Sequence, residues 1–307
     1  MGIVILAPSF AVGESWSEVA TIVEKDNVLK EEFIQKLEQA KEKLVAQAFL
    51  VEQLQHAAIS MMTVLDEHYP KTLKLALDRT HIPPILFYAG NVDILKRPTI
   101  AIIGSRKASE ISLDFTKTLA HYLADNDTNV ISGYARSVDR AAYEGAIATN
   151  GYTTVVLPQG IRKLSKVQLQ SLQPRIEAEK ILLLSQFHPD APWMVSRVME
   201  RNNVVTGLAQ VVIVAESDTN GGTWEGANGA LKQKRQLFVR HTDDEEMRPG
   251  NKALLERGGK PLHWPTTDVN DTFAPLLETT QTLHQHQRNL PQPPSQLSLM
   301  AINQEVR

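Results

Sequence analysis

The apolar and polar positions divide the 307-residue chain into three stretches. Between Glu14 and Glu67 the pattern is helical. The segment VLKEEFIQKLEQAKEKLVAQAFLVEQL contains neither Gly nor Pro, and its apolar residues recur at three- and four-residue spacing, as one face of a helix requires. Leu29, Phe33, Leu37, Leu44 and Phe49 fall on one or two packed faces. Sustained heptads are not evident, so a helical packing module is expected ahead of a partner-binding coiled coil. From Thr99 the character changes to short β-branched runs: TIAII (99–103), NVIS (129–132), TTVVL (153–157), ILLLS (181–185), QVVIVA (210–215) and QLFVR (236–240). Runs this continuously apolar suit parallel strands covered on both faces, and the intervals between them are long enough for crossover helices. The predicted class is α/β, a doubly wound and mainly parallel sheet. Beyond Pro265 the pattern fades into LLETTQTLHQHQRNLPQPPSQLSLM, which predicts a short helix and then a flexible tail or docking arm. The expected organisation is a helical N-terminal region (1–67), a core (68–265), and a short helix with tail (266–307).

Composition narrows the picture. Hydrophobic residues make up 42% and charged residues 22%, an ordinary globular balance. The length fits one large core with appendages. The formal net charge is −3, so a nucleic-acid site would have to gather its positive charge locally. The absence of Cys removes disulfides, Cys-ligated zinc and thiol nucleophiles, and suits a reducing cytoplasm. The opening MGIVILAPSF is apolar but short and lacks a basic lead, which reads as a buried strand or arm. No apolar run reaches the roughly 18 residues of a membrane-spanning helix, and none is predicted.

In an open parallel sheet, ligands sit beyond the carboxyl ends of the strands, so the residues just after each run are the informative ones. Gly104-Ser105-Arg106-Lys107 follows the first run. Glycine admits a close ligand, Arg106 offers a bidentate fork for phosphate, and a helix starting near Ile111 would aim its positive end the same way; a plain strand-to-helix turn is the competing reading. Ser132-Gly133-Tyr134-Ala135-Arg136-Ser137-Val138-Asp139 follows the second, with Asp139 read as the cap of a helix near Arg140. Arg162, Lys163 and Lys166 form a basic cluster after the third, either a solvated surface or a phosphate track. Arg201-Asn202-Asn203 precedes the fifth run, and Gly221-Gly222-Thr223-Trp224-Glu225 follows it. The paired glycines suggest a loop around an anion; Trp224 either stacks on a base or packs. The phosphate-binding, metalloprotease and serine-hydrolase signatures are missing. His241 and His263 read as isolated, so no metal and no cofactor are expected.

Taken in order, these segments resemble the DprA/Smf family from about Tyr69 to Trp264. Tyr69-Pro70 and Pro83 to Gly90 are similar to its lead-in, and Gly104-Ser105-Arg106 with Ala108-Ser109 to its first loop. Ser132 to Asp139 resembles its SG-x-A-x-G-[IV]-D motif, and Arg201-Asn202-Asn203 with Gly207-Leu208 its R-N-R-x-[IV]-x-G-L segment. Ser137 stands where the motif has glycine, and Asn203 where it has a second Arg. Gly221-Gly222-Thr223 replaces a Ser-Gly-Ser start, and Gly226 a Thr. Neither a winged-helix tail nor a helix-hairpin-helix-like N-terminus is recognisable, which leaves the pathway open between transformation and a defence or toxin–antitoxin role. The resemblance implies an extended Rossmann-like fold, a homodimer, and single-stranded DNA held without sequence preference for handover to a RecA-type recombinase. The implied site comprises Gly104, Ser105, Arg106, Lys107, Ser132, Gly133, Arg136, Arg162, Lys163, Lys166, Arg201, Asn202, Asn203, Gly221, Gly222 and Thr223. Two other readings stand beside it. One is a nucleotide-hydrolysing enzyme or sensor resembling LOG phosphoribohydrolases, with Glu225 or Glu144 as carboxylate. The other is an antitoxin-like protein that binds a partner through its N-terminal helices.

Overall fold

A computed structural model describes residues 44–64, 66–78, 81–243 and 247–290. The apolar opening, the helical positions Leu29, Phe33 and Leu37, and the tail beyond 290 lie outside the described residues. The chain forms two compact units, one of residues 1–69, 78–85 and 289–307, the other of 70–77 and 86–288. In the first, helix α1 (Leu44–His56) and strand β1 (Ser60–Thr63) are described. The Tyr69 hydroxyl donates to the Pro83 carbonyl at 2.7 Å. Phe49, expected on a packed face, is 59% exposed.

The second unit is the predicted α/β sheet. Its strands are β2 (Ile85–Gly90), β3 (Thr99–Ile103), β4 (Asn129–Ser132), β5 (Thr153–Val156), β6 (Ile181–Ser185), β7 (Val211–Val214), β8 (Gln236–His241) and β9 (Lys260–His263), in the order β2-β6-β5-β4-β3-β7-β8-β9. Only β2 runs antiparallel, on β6; the others pair in parallel. Every residue of β4, β5, β6 and β7 is buried, which is why their sequences show no alternation. Strands β2 and β9 escape the pattern reading. In β9, Lys-Pro-Leu-His, Leu262 is the single buried residue, too little for a periodic signal.

The connecting helices are α2 (Lys71–Ala76), α3 (Glu110–Asp125), α4 (Val138–Ala148), α5 (Lys166–Glu177), α6 (Val195–Leu208), α7 (Gly221–Lys232), α8 (Pro249–Glu256) and α9 (Val269–Asn289). The last corrects the expectation of a short helix: it runs for 21 residues and buries Phe273, Leu276, Leu277 and Thr280. These positions form an i, i+3, i+4, i+7 stripe that the surrounding Gln, Thr and His residues disguise in the sequence. Phe273 stacks on Trp264 (centroids 5.9 Å) and meets Phe115 edge-on at 6.1 Å. Each such buried side chain contributes about 1.5–3 kcal/mol, so α9 belongs to the core rather than to a tail. Among the described residues, no helix is long and apolar enough to cross a membrane.

Candidate nucleic-acid interface

Strands β3 and β7 lie side by side in parallel, with Ile103 opposite Val214. From β3 the chain winds outward through β4, β5 and β6; from β7 it winds the other way through β8 and β9. This reversal opens a crevice at the carboxyl ends of the two strands. A cleft of about 410 Å³ occupies it, lined by Gly104–Lys107 after β3, Ala135 and Asp139 at the start of α4, Met199, Arg201 and Asn202 from α6, and Asn220–Thr223 at the start of α7. A second cleft of about 460 Å³ lies over the ends of β4 and β5, lined by Gly133–Arg136, Pro158, Gln159, Gln168 and Trp193. Arg106, Lys107, Ala135, Val198 and Arg201 line both, so the two form one track along the sheet edge. Its charged lining comprises Arg106, Lys107, Arg136 and Arg201 against Asp139 and Asp218. The track is thus positive on a chain whose net charge is negative, which is the local gathering of charge that a polyanion site needs.

Arg201 is the centre of the track. It is 3% exposed, and its guanidinium lies against Gly133, where any Cβ would overlap it. Glycine is required there for this close approach. The Arg201 Nη1 sits 4.0 Å from Asp139 Oδ2, and its Nε has no hydrogen-bond partner. Burial lowers the basicity of Arg201, Asp139 opposes this, and the nearby Arg106 lowers it further. Burial likewise raises the Asp139 carboxyl above its ordinary range, against the pull of Arg201. The guanidinium is thus buried, held at the limit of ion pairing, and left with one unpartnered donor.

Asp139 does not cap α4. The helix begins at Val138 with Ser137 before it, and Asp139 accepts the Ala135 amide at 3.2 Å while facing Arg201. Ser137 has φ +70°, a left-handed conformation that favours glycine. Its Oγ accepts the Ala108 amide at 3.1 Å, tying the loops after β3 and β4 together. The two effects oppose each other, so Ser137→Gly should change stability by less than about 1 kcal/mol, whereas Ser137→Ala keeps the strain, loses the bond and should cost about 1–2 kcal/mol in urea unfolding.

The first loop is fixed from behind by Glu216, which follows β7 and is 1% exposed. It accepts the Ser109 amide (2.9 Å), the Ser109 hydroxyl (2.6 Å), the Ser112 hydroxyl (2.7 Å) and Arg248 Nε (3.1 Å). Burial pushes its pKa up, but Ser109, Ser112 and Arg248 outweigh that and hold it below the ordinary value. The Ser105 amide donates to the Glu216 carbonyl at 2.9 Å. Glu216 therefore sets the path of the chain from Ser105 to Ser112, and with it the positions of Arg106 and Lys107.

The structure sorts the residues implied by the resemblance. Gly104, Ser105, Arg106, Lys107, Gly133, Arg136, Arg201, Asn202, Gly221, Gly222 and Thr223 all line the track. Gly221 and Gly222 do so as the first turn of α7 and not as a loop. The Asn220 side chain makes no cap hydrogen bond, which leaves first-turn amides of α7 open to the cleft. Ser132 is fully buried at the end of β4. Asn203 faces α7, its carbonyl accepting from Gln233 at 3.2 Å, because it is turned by one helical step from Arg201 and Asn202. Arg162 pairs with Asp190 at 3.3 Å. Lys163 and Lys166 are exposed on the chain entering α5; of their neighbours, Leu164 and Gln168 reach the track. Trp224 packs under Arg257, whose Cζ is 4.7 Å from its ring. Glu144 is paired with Lys117 at 3.4 Å, and neither it nor Glu225 lines the track. The reading missed Trp193, which lines the second cleft while 49% exposed; it follows β6 by too many residues for the strand-end rule to reach it. His241 and His263 are not isolated: β8 and β9 set them opposite each other.

A family model described as DNA recombination-mediator protein A matches residues 60–273. The chain belongs to this family. The DNA processing protein DprA of Streptococcus pneumoniae is 31% identical over 177 residues, 58% of this chain and 61% of that relative. Protein Smf of Escherichia coli is 29% identical over 56% of this chain and 46% of its own length. The chain thus spans about half the length of the curated relatives it matches. The solved structure of the Streptococcus pneumoniae DprA superposes with a TM-score of 0.66 at 27% identity, covering 80% of this chain and 81% of that one. The Helicobacter pylori DprA, solved to explain its single-stranded DNA binding mode, superposes with a TM-score of 0.61 at 27% identity, covering 72% and 96%. The expected family and the Rossmann-like sheet are therefore both shown.

Proposed function

We propose that this recombination-mediator A chain binds single-stranded DNA along the strand-end track, without sequence preference, and acts in DNA processing as a binding protein and not as a catalyst. Arg201 carries the reading: a buried, under-partnered cation placed between two glycine-lined clefts. Phosphates would lie on Arg106, Lys107, Arg136 and Arg201 and on first-turn amides of α7, and Trp193 offers an exposed face for a base. Support from relatives comes from the Helicobacter pylori structure, whose DprA binds single-stranded DNA. Action in the cytoplasm as a homodimer, with handover to a RecA-type recombinase or use in a related defence role, rests on the family resemblance.

Fluorescence anisotropy of labelled oligo-dT against a matched duplex tests the reading. Four neutralised phosphates predict a slope of log K against log salt of about −3, or about 50-fold weaker binding between roughly 50 and 200 mM salt. Arg106→Ala should weaken binding about 5–10-fold and flatten the slope by about 0.7. A salt-independent signal, or none at low salt, would overturn it.

A further inference from the structure

The far side of the same sheet edge carries a group of ligand-type side chains outside the track. His241 closes β8 and His263 closes β9, and the register pairs them. Neighbouring parallel strands lie about 4.8 Å apart, so paired residues project their side chains to the same face. Their rings are 4.6 Å apart between centroids and inclined at 64°, converging by their edges, with Nδ1 to Nδ1 at 3.3 Å. Asp243, two residues beyond His241, brings Oδ1 to 3.7 Å from His241 Nδ1. All three ligand atoms lie within 4.8 Å of one another.

We propose that His241, His263 and Asp243 form a binding site for a borderline divalent cation of the zinc class. Bonds of about 2.0–2.1 Å in tetrahedral array place ligand atoms about 3.3 Å apart, which is the observed Nδ1 separation. Asp243 is 89% exposed and closes the remaining gap by a side-chain rotation. Two imidazoles and a carboxylate select zinc-like ions over magnesium or calcium, which favour all-oxygen cages. Three protein ligands leave a fourth position for water. The site would clasp β9, a four-residue strand ending the sheet order with a single buried side chain, onto β8.

The full chain, stripped with a chelator, is titrated with zinc chloride by calorimetry and with cobalt(II) by visible absorption. One equivalent should bind with micromolar or tighter Kd and tetrahedral cobalt bands, and zinc should raise Tm. His263→Gln, at an exposed position, and Asp243→Asn should each weaken binding at least tenfold, abolish the Tm rise, and leave the metal-free Tm unchanged. Absence of saturable binding would overturn the site, and so would equal binding by both variants, which would place the metal on other histidines.

Discussion

Arg201→Met is expected to weaken single-strand binding by more than tenfold and to lower stability by about 3 kcal/mol, the cost of leaving a buried carboxylate without its cation. The carboxylate concerned is Asp139, whose side chain is 12% exposed and whose pKa burial already raises. Without Arg201 it would rise further, and the group would escape part of the penalty by taking up a proton. Asp139→Asn in the Arg201→Met background should therefore recover part of the lost stability and none of the binding. A double-mutant cycle in urea, with oligo-dT anisotropy on the same four proteins, separates the two roles. Strict additivity in stability would show that the two groups do not sense each other across 4.0 Å. Unchanged affinity in Arg201→Met would remove Arg201 from the proposed DNA track. Gly133→Ala should mimic the binding defect, because a methyl there occupies the place of the guanidinium.

Glu216→Gln is the second large effect, expected to cost about 2–3 kcal/mol at neutral pH. One amide replaces a carboxylate that accepts four hydrogen bonds from Ser109, Ser112 and Arg248, and its NH2 group brings a donor where only donors converge. The pH dependence has a definite sign. Glu216 has a lowered pKa in the fold, so the unfolded chain binds the proton more readily and stability rises with pH across that window. The contribution is complete above the ordinary glutamate range and is lost as pH falls through the lowered value. Urea midpoints of wild type and Glu216→Gln should consequently differ most near neutral pH and converge in acid. A gap that stays constant into acid would mean that the side chain acts by shape and not by charge. Affinity for oligo-dT should fall as well, since the chain carrying Arg106 and Lys107 is held from behind by this carboxylate.

The central strands of the sheet were legible residue by residue. TIAII, NVIS and ILLLS match β3, β4 and β6 end for end, because strands buried on both faces write an unbroken apolar run. The strand-end rule then located Arg106, Gly133 and Arg136, whose chemistry is local and marked by glycine, while Arg201 stood out beside Asn202 and Asn203 ahead of the fifth run. What depends on a remote partner was not legible. Asn203 adjoins two residues of the track yet faces α7, a matter of helical phase against a neighbour the sequence does not place. Arg162 looked like a free cation until Asp190 folded beside it. Helix α9 read as only a short helix because its apolar stripe is narrow and its other faces are Gln and Thr. Glu216 carried no signal as a loop anchor, since Ser109 and Ser112 lie more than a hundred positions away.

By itself, then, the sequence determined the fold class, the family and the edge of the sheet where the clefts and their cations lie, because those follow from periodicity and from residues close in the chain. The tertiary structure alone decided which cations face the track, that Asp139 answers Arg201 instead of capping a helix, and that His241 and His263 meet. Each of those is fixed by strand register and helix packing, which bring together groups that sequence spacing leaves apart.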